Sequence, residues 1–176
     1  MIFRETALEG AYIIEMEAFE DDRGFFARTF CRNELAERGL NCNVAQCSIS
    51  YNAVRGTLRG MHYQVEPHAE TKLVHCVRGA LYDVIIDLRP LSETYCCWFG
   101  VELNEDNRRL LYVPEGFAHG FQTLQDNTSV YYQISEFYAP QSARGVRWND
   151  PVFGIDWPIS EPIISEKDRH LPDYER

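Results

Sequence analysis

Three short stretches set proton-active or cationic side chains inside runs that otherwise read as buried strands. GTLRGMHYQ (56–64) carries Arg59, His62 and Gln64, KLVHCVRG (72–79) opens on Lys72, and PEGFAH (114–119) ends on His119. Burying such groups without partners costs free energy, so their place in apolar elements needs a reason. An imidazole can take up and release protons near neutral pH, and a fixed ammonium can hold a developing negative charge. Singly, each has an ordinary reading: His62 as a satisfied core histidine, Lys72 as a rim residue. Together they point to acid–base groups collected inside a barrel.

The elements that must position them are many and short. AYIIEMEAF, GFFARTF, TKLVHCVRG, ALYDVIIDLR, CCWFGVEL, RRLLYVP, GFQTL and SVYYQISEFY are rich in β-branched and aromatic residues, with turn chemistry such as EDDRG, RPLSET and QDNT between them. The pattern predicts an all-β antiparallel sandwich or barrel of the jelly-roll kind with one or two short helices. CRNELAERG reads as a helix with Asn33 as N-cap and Gly39 as its stop. Strict alternation puts Leu58, His62 and Gln64 on one face of their strand and Arg59 with Tyr63 on the other, while Lys72, Val74 and Cys76 share a face. The chain is expected to be one domain, 1–176, whose tail, 149–176, wraps the barrel. Phe153, Ile155, Trp157 and Ile163 argue that this tail is ordered, with a helical turn at SEKD.

Composition narrows the function classes. The 176 residues are 45% hydrophobic and 13% aromatic, a globular composition. The formal charge of −10 argues against a broad basic face for nucleic acid or anionic lipid; an anion would have to be met by a few focused cations. No apolar run approaches the ~20 residues of a membrane span, and the opening MIFRETALEGAY lacks the apolar core of a signal peptide. Six cysteines with no CxxC pair read as reduced thiols, and the expected location is the cytoplasm.

Cupin-type barrels use two spaced motifs to build a metal site, and this chain fits the spacing with altered ligands. Five residues lie between Gly56 and His62, and PEGFAH matches the second motif, so His62 and His119 stand at two ligand positions. Gln64 replaces a second histidine, and Lys72 falls where an acidic ligand belongs. An ammonium has no lone pair and repels a divalent cation. No metal is expected.

DRGFF (22–26), GTLRGMHYQ, KLVHCVRGALYDVIIDLRP (72–90), VPEGFAHGFQTL (113–124), YYQISEFYAP (131–140), RGVRWNDPVFGIDWP (144–158) and SEKD (165–168) occur in an order that resembles the dTDP-4-dehydrorhamnose 3,5-epimerases over nearly the whole chain. The resemblance implies a cofactor-independent cupin homodimer that inverts C3 and C5 of a nucleotide-linked 4-keto-6-deoxy sugar. On that resemblance His62 corresponds to the base, Asp168 to the carboxylate that orients it, Lys72 to the group stabilising the enolate, and Tyr132 to the acid. Arg59 and Lys167, with Arg23 from the neighbouring subunit, correspond to diphosphate cations. His119 resembles a sugar or phosphate contact, Tyr138 the ring stacked on the base, and Gln46 with Ser48 line the pocket. The residues alone leave room for other readings: Asp168 as a cap of its turn, Tyr138 as packing, Arg23 as a surface ion pair, and Tyr131 in place of Tyr132. Arg28, QCSIS (46–50) and Ala143 depart from the family pattern near the nucleotide or sugar. Alternatives are therefore a C3-only epimerase or keto-isomerase on another nucleotide 4-keto sugar, or a sugar-binding cupin without catalysis.

Overall fold

In chain order the strands are β1 (Ile2–Glu5), β2 (Tyr12–Glu15), β3 (Ala18–Asp21), β4 (Gly24–Ala27), β5 (Gln46–Asn52), β6 (Thr57–Gln64), β7 (Lys72–Arg78) and β8 (Ala80–Asp87). There follow β9 (Trp98–Asn104), β10 (Arg109–Val113), β11 (Phe117–Thr123), β12 (Thr128–Ile134), β13 (Ala143–Gly145) and β14 (Ile163–Ile164). The helices are α1 (Arg32–Ala36) and α2 (Glu166–Arg169). The computed structural model describes residues 1–175.

Two sheets face each other as a jelly roll. One has the order β1-β2-β10-β7-β12-β5 and the other β13-β6-β11-β8-β9, while β3 and β4 form a separate hairpin. Between the sheets lies a core to which the first sheet gives Val74, Cys76, Leu111, Val113 and Val130, and the second gives Leu81, Ile85, Leu103, Phe117 and Phe121. Period-two alternation aims these residues inward.

β8 is nearly apolar on both faces because both are covered. Its outer residues Val84 and Ile86 pack with Met61, Ala118, Val146 and Phe153, and with Ile155 and Trp157 of the tail. The tail then adds β14 to β6 in parallel, Ile163 opposite Thr57 and Ile164 opposite Leu58. The Ile163 side chain itself is exposed, so its backbone, not its side chain, holds that stretch. Ser165 caps α2 by accepting from the Asp168 N–H.

Of the elements named from sequence, three differ in the fold. AYIIEMEAF is divided between β2 in the first sheet and β3 in the hairpin. The helix start expected at Asn33 lies two residues earlier: Cys31 is the N-cap, with no side-chain cap bond, and Asn33 is inside the helix. Gly39 does turn the chain out, at φ +68°.

The third difference bears on function. β6 and β11 pair His62 with His119 and Arg59 with Phe121, so three steps along β6 match two along β11. This bulge moves Arg59 onto the face of His62, where plain alternation opposes them. Glycine makes it feasible: Gly60 has φ +137°, and a Cβ there would come within 2.5 Å of Gly120 Cα.

Candidate active site

Inward-facing positions change character along each strand. On β7, Val74 and Cys76 belong to the core while Lys72 lines a cavity; on β12, Val130 is core while Tyr132 and Ile134 line it. β5 adds Gln46 and Ser48 at alternate positions, β6 adds Arg59 and His62, β11 adds His119, and α2 adds Lys167 and Asp168. With Tyr138 from the segment after β12, ten of the eleven site residues expected from sequence surround one cavity of about 600 Å³, a size suited to a small-molecule ligand. Both lysines of the chain are among them. The eleventh, Arg23, is elsewhere: it is 89% exposed at the tip of the β3–β4 hairpin and pairs with Asp21.

His62 reaches the cavity with one ring edge and the tail with the other. Its Nε2 lies 2.8 Å from Asp168 Oδ1. Burial works against the Asp168 charge, but the His62 hydrogen bond, the Gly60 N–H and the Lys167 charge hold its carboxyl below the ordinary value. An ionised carboxylate only accepts, so Nε2 carries a proton, and in the neutral ring the lone pair is on Nδ1. The cap of α2 falls to Ser165, which leaves the Asp168 side chain for His62.

Tyr132 and Lys72 come from the opposite sheet to His62. Burial, with the charge of Asp83, pushes the Tyr132 phenol well above its ordinary range, against the pull of Arg59, so the group is a proton carrier at neutral pH. Lys72 Nζ lies 3.0 Å from Glu70 Oε1 and donates to the His62 carbonyl at 3.3 Å. Arg59 Nε donates to Asn52 Oδ1 at 2.8 Å, and the buried Asn52 amide donates in turn to the Thr128 carbonyl. The guanidinium is thereby held at the cavity wall.

The cupin ligand positions are directly opposed, since His62 and His119 are register partners. Each imidazole turns its Nε2 to a carboxylate, His62 to Asp168 and His119 to Asp83 at 2.7 Å. Among the described residues no group of three or more His, Cys, Asp or Glu converges as a metal cage. Asp83, Asn52, Glu70 and Arg144 were missed by sequence reasoning. A signal existed for Asp83, an acid inside the apolar run ALYDVIID; the others are visible only once the strands are paired.

The two-sheet barrel with these groups at its open end is that of a cupin-fold epimerase, an isomerase acting on a nucleotide sugar. The family model described as dTDP-4-dehydrorhamnose 3,5-epimerase matches residues 5–176, and the chain belongs to that family. A dTDP-4-dehydrorhamnose 3,5-epimerase of Methanothermobacter thermautotrophicus is 47% identical over 96% of this chain and 91% of its own length. The crystal structure of the Elizabethkingia anophelis enzyme of the same name superposes with a TM-score of 0.96, at 41% identity, over 99% of this chain and 96% of that one. The Bacillus anthracis enzyme, solved with TDP and PPi bound, gives a TM-score of 0.95 at 44% identity, over 98% and 99% of the two chains.

Proposed function

We propose that this chain epimerises C3 and C5 of a dTDP-linked 4-keto-6-deoxy sugar, converting dTDP-4-dehydro-6-deoxyglucose to dTDP-4-dehydro-L-rhamnose, with no cofactor. The observation that carries the reading is the arrangement of His62–Asp168 on one sheet side of the cavity and Tyr132 on the other. Inversion at a carbon needs a proton taken from one face and returned to the opposite face, which two facing walls provide.

His62 Nδ1 removes the proton beside the C4 ketone. Asp168 holds the ring in the tautomer that keeps Nδ1 free and favours the imidazolium that forms. The electron pair moves to the C4 oxygen, where the Lys72 ammonium meets the developing charge. Tyr132 then delivers a proton from the other side. Arg59 and Lys167 hold the diphosphate, His119 and Gln46 with Ser48 shape the sugar end, and Tyr138 stacks on the base at the rim.

A homodimer is part of the reading. The β3–β4 hairpin exposes Phe19, Phe25 and Phe26 beside Arg23, and the outer face of the first sheet exposes Ile49, Tyr51 and Val77. Covering these against a second copy would bring Arg23 to the neighbour's diphosphate. A monomer on a sizing column would overturn it. A reducing cytoplasm suits the six free thiols.

The test is incubation with dTDP-4-keto-6-deoxyglucose in D₂O, reading deuterium at each ring carbon. Incorporation at both C3 and C5 is expected. Incorporation at C3 alone would reduce the activity to a mono-epimerase, and none, with the protein folded, would overturn it.

A further inference from the structure

Beside the ammonium that meets the C4 oxygen stands a carboxylate, which at first sight works against a site for anions. The Glu70 side chain is 11% exposed and that of Lys72 10%, with Oε1 and Nζ 3.0 Å apart. The other oxygen, Oε2, accepts from Gln64 Nε2 at 3.0 Å. Glu70 itself lines the cavity.

The orientation of Gln64 is fixed from elsewhere. Its Oε1 accepts from the Ala139 N–H at 2.7 Å, and its Nε2 also faces the carbonyls of His68 at 2.9 Å and Phe137 at 3.2 Å. Turning the amide over would strand the Ala139 N–H and set oxygen against three oxygens, each a costly loss at a buried site. The NH₂ therefore points at residue 70, while an ammonium points at the same residue from the other side. Only a side chain that accepts at both ends satisfies the two donors, and a carboxylate does so where an amide does not.

The consequence reaches the reaction. An ammonium has three N–H donors. One goes to Glu70 and one to the His62 carbonyl, which leaves one to aim into the cavity. The carboxylate also gives a nearly buried ammonium its counter-charge. Resting on the epimerase reading above, we infer that Glu70 is a positioning residue for Lys72, set in place by Gln64, and that it presents a single aimed donor to the C4 oxygen of the substrate.

Glu70→Gln and Glu70→Asp test this. Glu70→Gln keeps the shape but offers one accepting oxygen, and kcat is expected to fall about tenfold with KM changed less than about twofold, because aim is lost while the phosphate anchors stay. Glu70→Asp keeps two accepting oxygens on a shorter stem and is expected to fall between Glu70→Gln and the natural protein. The chain has two lysines, Lys72 and Lys167, so the ¹⁵Nζ ammonium spectrum supplies a readout independent of turnover. The Lys72 signal is expected to shift or broaden in Glu70→Gln while the Lys167 signal stays.

Unchanged kcat in Glu70→Gln, an effect on KM alone, greater activity of Glu70→Gln than of Glu70→Asp, or an unmoved Lys72 signal would each overturn the assignment. If the natural protein incorporates no deuterium into the sugar, the epimerase reading fails. The ammonium spectra then still decide whether Glu70 fixes Lys72.

Discussion

Two histidine–aspartate pairs, whose histidines are register partners on β6 and β11, differ in almost everything else. His62 and Asp168 are 106 residues apart in sequence and meet only because the tail docks on β6; the imidazole is 43% exposed. His119 and Asp83 sit on the neighbouring strands β11 and β8, with side chains 5% and 0% exposed. One oxygen of Asp83 has no hydrogen-bond partner among the described residues. The same two side chains thus serve different ends. Where the imidazole keeps an edge open to the cavity the pair can exchange a proton with a ligand; where both groups are enclosed, it chiefly holds two strands and a wall in place.

That contrast orders the expected effects. His62→Ala should abolish exchange of the sugar's ring hydrogens with solvent, a loss of about 10³-fold or more, while dTDP binding by calorimetry stays nearly unchanged. Full exchange in that variant would erase the distinction between the pairs. Tyr132→Phe should slow net inversion by about 10²-fold but slow deuterium uptake less, because the acid acts after the base. Equal losses in the two assays would count against separate roles.

Asp168→Asn should lower kcat by roughly 10- to 100-fold and also flatten the acid limb of thermal stability. The sign follows from the depressed carboxyl. Its contribution is fully present above the ordinary aspartate value of 3.8 and is lost as pH falls through the lower folded value. Melting temperatures of the natural protein and Asp168→Asn should therefore converge toward the acid end of a pH series. A constant gap would mean that the His62–Asp168 hydrogen bond does not hold the tail. Asp83→Ala should show the smallest effect on exchange, within about tenfold at 25 °C. It strands a buried partner at a cost of about 3–5 kcal/mol, which corresponds to a fall in melting temperature of roughly 6–20 °C. A variant as stable as the natural protein would remove the structural role of the second pair.

How much of this was legible in the chain depended on whether a feature was local. The strands with strong alternation, the stop at Gly39 and ten of the cavity residues could be named: spacing and side-chain type carry Arg59, His62, Lys72 and His119, and the family resemblance carries the other six. The shared face of Arg59 and His62 could not. It arises from a bulge opposite Gly120, and an extra residue in one strand is defined only against its partner. The short β1, β13 and β14 were equally hidden, since they are strands by pairing and not by composition. Asp83 was open to notice as an acid in an apolar run, but the β8–β11 register sets it opposite Phe121, and His119 reaches it diagonally across the pair. The N-cap is Cys31, two residues before Asn33, and its side chain makes no cap bond, so no polar residue marks the start of α1.

The docking of Asp168 on β6 also sets an order of events during synthesis. The ribosome makes His62 106 residues before the carboxylate that orients it. Through that interval the growing chain holds an imidazole with no fixed tautomer, beside strands that are already translated. On the proposed mechanism the site is therefore incomplete until the segment around Asp168 has emerged and closed against the barrel.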